Sequence, residues 1–270
     1  MTERDPEASD TQATYVFAVC RGVNPAAFTG LPGVGDEEVR TLPLGTLTAV
    51  VQSVEAADFT EEVWQGRLSD QLELERYARA HHEVVSAAAV CCPTVPLPLA
   101  TLYLDDERAR QGLAEEAERF HSVLRRIAHH AEWGVKVYAP AEPANDTVAA
   151  APLPTAPSDR TRPSPGAGLA YLDRKRGIQQ RREQHRDEAL RIAETVDAEV
   201  RVLATAFRRL RPQAPQLTGQ RPVQVLNATY LVADHRADDL ALLTRTLRER
   251  TGVRIELSGP WVPYSFVGEV

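Results

Sequence analysis

The chain has 270 residues, of which 43% are hydrophobic and 26% charged, with a formal net charge of −7 at pH 7. That length accommodates two domains of common size, and the apolar share suffices for buried cores. The acidic balance argues against nucleic acid as the main partner, and no stretch approaches the ~18–20 apolar residues that a membrane helix needs.

The opening "MTERDPEASDTQ" is polar and acidic, without the apolar segment of a secretory signal. Residues 1–13 read as a disordered leader, and the protein as cytoplasmic. The first strand is "TYVFAVCRG", Thr14 to Gly22, rich in β-branched and aromatic residues. After the turn-rich "NPAAFTGLPGVG", two apolar runs split by Gly45 predict a hairpin. From Glu61 to Val90 apolar residues recur at helical steps, including Leu72, Tyr77, His81, Val84, Val85 and Ala88. A proline-punctuated segment with a strand at Leu99–Leu104 follows, and then a helix over Glu107–His130 capped by Asp105 or Asp106. "EWGVKVY" alternates as another strand.

Residues 141–167, built from Ala, Pro, Thr and Ser without a hydrophobic period, read as a flexible linker or loop. A long helix is predicted from Ala170 to Leu210. Its first half is nearly all polar; its second carries a heptad stripe from Ala189 through Val196 and Val200 to Leu203, Phe207 and Leu210. The last third reads as strand Val223–Ala233, a helix with Leu240, Leu243 and Leu247 inward and stopped by Gly252, and strand "VRIELSG". The predicted class is α+β in two domains. An N-terminal domain spans 14–130, and a C-terminal one spans 131–270 with the order of a modified ferredoxin-like sandwich.

The sequence offers no active site. No Gly-rich loop opens a helix after a strand, and there is no G-x-S-x-G, so no cofactor and no catalytic residue is predicted. His81-His82 and His129-His130 are adjacent pairs, whose side chains on a helix point about 100° apart, a poor chelating geometry. Cys20, Cys91 and Cys92 read as reduced thiols, and no basic cluster activates the vicinal pair. Two stretches remain as candidate partner-binding surfaces. One is the basic run Arg174, Arg176, Arg181 and Arg182, either a solvated helix face or a docking surface for an acidic protein. The other is the tail "GPWVPYSFVGEV", where Pro260 and Pro263 exclude a regular helix, so that Trp261, Tyr264 and Phe266 either close a domain or meet a partner.

"GPWVPYSF" resembles the closing motif of the gas vesicle GvpF/GvpL family. "LNATYLVA", "GLAYLDRKR", "EWGVKVY", "AHHEVV" and "YVFAV" match the family in order, so the resemblance covers about Thr14 to Phe266. The chain departs from the pattern at Val262, where the family usually has Pro, and at Pro98 and Ala100, which stand where relatives carry Arg and Gly. Gas vesicles are gas-filled protein shells built mostly from one small, very hydrophobic protein. The resemblance implies two α/β domains, the first of unusual topology, and a non-enzymatic minor component or assembly factor. Such a protein contacts the shell protein and other vesicle proteins, with the gas-facing side of the shell as one location, and helps nucleate the shell. Two other readings stay open on the residues alone: a small-molecule-binding or catalytic ferredoxin-like protein, and a weak nucleic-acid binder acting through the basic helix.

Overall fold

The computed structural model describes residues 12–139, 167–212 and 223–268, so the expected leader and the 141–167 linker lie almost wholly outside the described residues. Two compact units form. The first comprises the chain through Glu132 together with the residues from Pro260 onward, and the second spans Trp133–Gly259. The expected boundary at 130/131 is thus displaced by two residues, and the tail groups with the first unit instead of the second.

In the first unit, β1 (Gln12–Cys20), β2 (Arg40–Leu44), β3 (Leu47–Glu55), β4 (Thr94–Pro96) and β5 (Leu102–Tyr103) make one sheet. Its order is β2-β3-β1-β4, with β5 pairing on β1 beside β4. The predicted hairpin is present: Leu44 pairs with Leu47, and Gly45 takes φ 65° between them, a conformation that favours glycine. β1 is buried throughout Tyr15–Cys20 because both faces of the sheet are covered. Tyr15 and Phe17 face a core with Tyr77, Val84, Val85 and Ala88. Val16 and Val19 face Leu113, Phe120, Leu124 and Ile127. Alternation along β1 serves both cores, and a bulge between Val16 and Ala18 shifts its phase, so that Phe17 and Ala18 both lie in the core on the α2 side.

The helical stretch predicted from Glu61 is two helices, α1 (Glu61–Ser69) and α2 (Gln71–Cys91), because Asp70 stops the first and caps the second through Leu72 and Glu73 N–H groups. The helix expected over 107–130 also divides, into α3 (Asp106–Glu115) and α4 (Ala117–Ile127). The strand expected at Leu99–Leu104 shrinks to β5, since Pro96 and Pro98 break the ladder and Ala100 turns the chain at φ 63°.

The second unit contains most of β6 (His130–Tyr138), α5 (Ala167–Arg201), β7 (Ala204–Arg209), β8 (Gln224–Ala233), α6 (Ala237–Thr251) and most of β9 (Arg254–Trp261). The strand order is β7-β8-β6-β9. The long helix predicted to Leu210 ends at Arg201, so Leu203, Phe207 and Leu210 lie beyond it. A run of three apolar residues at four- and three-residue steps does not separate helix from strand. Pairing decides it: Phe207 sits opposite Tyr230, and Arg209 opposite Ala228.

Asp197, almost fully buried on α5, locks β7 into place. It accepts from Tyr230 Oη at 2.5 Å, Arg209 Nε at 2.9 Å and Arg201 Nη2 at 2.6 Å. Burial pushes its carboxyl pKa up, but these donors outweigh burial and hold it below the ordinary range. The core behind the sheet combines Val135, Val137, Leu226, Ala228, Tyr230 and Val232 with Ala193, Val196, Val200, Leu240 and Leu247 from the two helices. Gly252 ends α6 in the left-handed conformation at φ 67°, as its position predicts.

Candidate functional site

The tail is held on the first unit by a chain of specific contacts. Pro263, with ψ 59°, is the centre of a tight turn in which Tyr264 N–H donates to Val262 O at 2.8 Å, and it opens a single 3-10 turn, Tyr264–Phe266, closed by Phe266 N–H donating to Pro263 O at 3.1 Å. Phe266 is buried, so of the three aromatics it is an anchor. Ser265 donates through its N–H and its hydroxyl to the two oxygens of Glu132, at 2.8 and 2.6 Å. Arg126 on α4 donates to Phe266 O. Val262 packs against the core on the α2 side of the sheet, and Val267 against the core on the α4 side.

These anchors present the other two aromatics outward. Trp261 is 51% exposed and Tyr264 37%. Both meet His82 of α2, with ring centroids 6.3 and 5.8 Å away. Tyr264 Oη lies 3.3 Å from His82 Nδ1, and His82 Nε2 lies 3.3 Å from Ser86 Oγ. Burial raises the Tyr264 pKa, so its hydroxyl stays protonated at neutral pH. One and two turns further along α2 from His82 come Ser86 and Val90, the latter 88% exposed. The result is an outward apolar surface of indole, phenol and aliphatic side chains around one imidazole. Beside it, a cavity of about 240 Å³ is lined by Val95–Pro98, Arg119, Tyr264, Val267 and Gly268.

His81, the neighbour of His82, points the other way. It is buried, pairs through Nδ1 with Tyr15 Oη at 2.9 Å, and has its pKa lowered to about 4 by burial. Among the described residues no group of His, Cys, Asp or Glu is arranged to hold a metal ion, and no helix is long and apolar enough to cross a membrane.

A family model described as "Gas vesicle synthesis protein GvpL/GvpF" matches residues 13–268. The chain belongs to the gas vesicle GvpL/GvpF family. Gas vesicle protein L of a Streptomyces species is 38% identical over 261 residues, covering 96% of this chain and 94% of the relative. Gas vesicle protein L1 of Halobacterium salinarum is 23% identical over 288 residues, covering 100% of this chain and 99% of the relative. The crystal structure of GvpF from an Anabaena species superposes with a TM-score of 0.65 at 13% identity, covering 96% and 98% of the two chains. That of GvpF from Microcystis aeruginosa gives 0.60 at 12% identity, covering 95% and 99%. The mixed α/β architecture is therefore the fold of GvpF, and the chain has a gas vesicle role.

The residues singled out in the sequence do not form one site. Trp261 and Tyr264 are together on the first unit, and Phe266 supports them from below. Arg176 and Arg181 are exposed on α5 in the second unit, where Arg174 and Arg182 also lie along the helix. His82, Arg126 and Glu132 were missed as partners of the tail. The helical steps of α2 include His81 and leave His82 off the apolar face, but nothing in the sequence links His82 to a position 182 residues later.

Proposed function

We propose that this GvpL/GvpF protein binds the small hydrophobic shell protein of the gas vesicle and helps nucleate or build the shell, acting without catalysis. The observation that carries this reading is the outward pair Trp261 and Tyr264, held rigidly over His82 by a buried and hydrogen-bonded tail. A shell subunit outside the shell exposes apolar surface and aggregates unless it is covered. Large aromatic groups already fixed in place give contact area at low entropic cost. The protein then works at the gas vesicle within the cytoplasm, the gas-facing side of the shell being one place for it, alongside other vesicle accessory proteins.

The second unit fits this reading as a scaffold. We read its strand-helix-strand-strand-helix-strand order as a modified ferredoxin-like sandwich, in which β7 supplies the strand that the sequence hid inside the long helix. The exposed Arg176 and Arg181 provide a weaker, salt-sensitive surface for acidic vesicle proteins.

The test is capture of purified shell protein by the full chain and by a Trp261→Ala, Tyr264→Ala double variant whose folding is verified by circular dichroism. The reading predicts capture by the wild type and at least a tenfold loss with the variant, since hot-spot aromatics cost ~2 kcal/mol or more when truncated. Equal capture by both would move the contact away from the tail.

A further inference from the structure

Cys20 lies far in sequence from the adjacent pair Cys91 and Cys92, but the fold brings it to the face that carries Cys92. Cys20, the last residue of β1, is fully buried and pairs across the ladder with Thr94 of β4. Cys92 lies two residues before Thr94, caps the end of α2, and is half-buried against the same core as Cys20. Its Sγ is 3.9 Å from Thr94 Oγ1 and 3.6 Å from Ala88 O. Residues i and i+2 of an extended segment share a face. The Cys20 side chain and the Cys92 side chain are accordingly diagonal neighbours on one face, both packed in the core on the α2 side of the sheet, with the Cys20 thiol donating to Thr48 O at 3.4 Å. Cys91 sits on the exposed side of the helix end and takes no part in this contact.

The surroundings divide the roles of the two sulfurs. The neighbouring Cys20 thiol, with the Thr94 hydroxyl and the Arg21 N–H nearby, brings the Cys92 pKa down to about 6 against the effect of burial. The Cys20 pKa is pushed upward by the neighbouring Cys92 sulfur and by burial, so it keeps its proton. A half-exposed thiol beside a fully buried one is the arrangement of an attacking and a resolving cysteine.

We propose that Cys20 and Cys92 form a reversible intramolecular disulfide when the protein meets a hydroperoxide, stapling the end of α2 to β1. The Cys92 thiolate attacks the O–O bond, becoming a sulfenic acid as the peroxide leaves as hydroxide or alkoxide. The Cys20 sulfur then displaces the sulfenic oxygen, and its thiol proton leaves with that hydroxyl as water. Two electrons pass from the thiol pair to the peroxide, and a small-molecule dithiol reverses the reaction. Diagonal positions on an antiparallel ladder stand at the outer edge of disulfide reach. The bond therefore draws Cys92 inward, a shift that a helix end accommodates. The inference is independent of how the protein recognises the shell subunit.

The experiment treats the full chain with hydrogen peroxide, blocks free thiols, digests without reduction and maps the linked peptides by mass spectrometry. The expected result is a Cys20–Cys92 link that dithiothreitol removes, persists in Cys91→Ser and is absent from Cys92→Ser. The melting temperature of wild type and of Cys91→Ser should rise by several degrees on oxidation, and that of Cys92→Ser should not. Cys92 is half-exposed, so its serine variant should fold normally. Oxidation of Cys92 to the sulfinic acid with Cys20 still alkylatable, or links confined to Cys91 between molecules, would overturn the proposal.

Discussion

At the scale of single residues, the adjacent pair His81 and His82 shows how one helix serves two purposes. His82 supports the exposed aromatics, whereas His81 is sealed among Tyr15 and Phe17. An unfolded chain protonates such an imidazole near ~6.5, the folded protein only at about 4. Between these values the unfolded state binds more protons, so acidification across the window favours unfolding. The first unit should lose about 2 kcal/mol of stability between pH 7 and pH 5 from this residue alone. Denaturant unfolding of wild type and His81→Gln at the two pH values measures the effect. The variant should show a much flatter pH dependence, and parallel curves would refute the assignment. Ala100 is a second residue-scale exception: it occupies a left-handed turn at φ 63°, a conformation that favours glycine, and its N–H donates to Tyr15 Oη at 3.1 Å.

At the scale of elements, β7 depends on one buried carboxylate. Asp197 joins α5 to Arg209 at the end of the strand and to Tyr230 on its neighbour β8. Its pKa lies below the ordinary carboxylate range, so its contribution is complete above about pH 4 and is lost as the pH falls through the lowered native value. Asp197→Asn should cost about 3 kcal/mol at pH 7, because the two guanidinium groups lose their charge partner. A melting temperature within a degree of wild type would show that β7 is held by its ladder alone. This strand is also where sequence patterning fell short. The hairpin at Gly45, α6 with its Gly252 stop, and β1, β6, β8 and β9 were legible because alternation, helical steps and turn chemistry agreed locally. β7 follows a helix after only two residues and carries apolar residues at spacings that suit either element, so its identity was set by Asp197 and by pairing with β8. The breaks at Asp70 and Glu116 were likewise hidden inside continuous helical periodicity.

At the scale of the whole molecule, the chain sends its last residues to its first unit, where Glu132, Arg126 and the two cores fix them. The tail motif carried the family in the sequence, but which aromatics face outward was not legible there. That depended on contacts across more than a hundred positions, between Ser265 and Glu132 and between Tyr264 and His82. A shorter separation, from β1 to the end of α2, likewise concealed the shared face of Cys20 and Cys92 behind the conspicuous vicinal pair. The most direct test of the central claim places a photo-crosslinking amino acid at position 261, with a control at position 188 on α5, in cells assembling gas vesicles. The account predicts an adduct with the shell protein from position 261 and none from position 188. Adducts only from position 188, or none from position 261 while the purified shell protein is still captured by the wild-type chain, would contradict it.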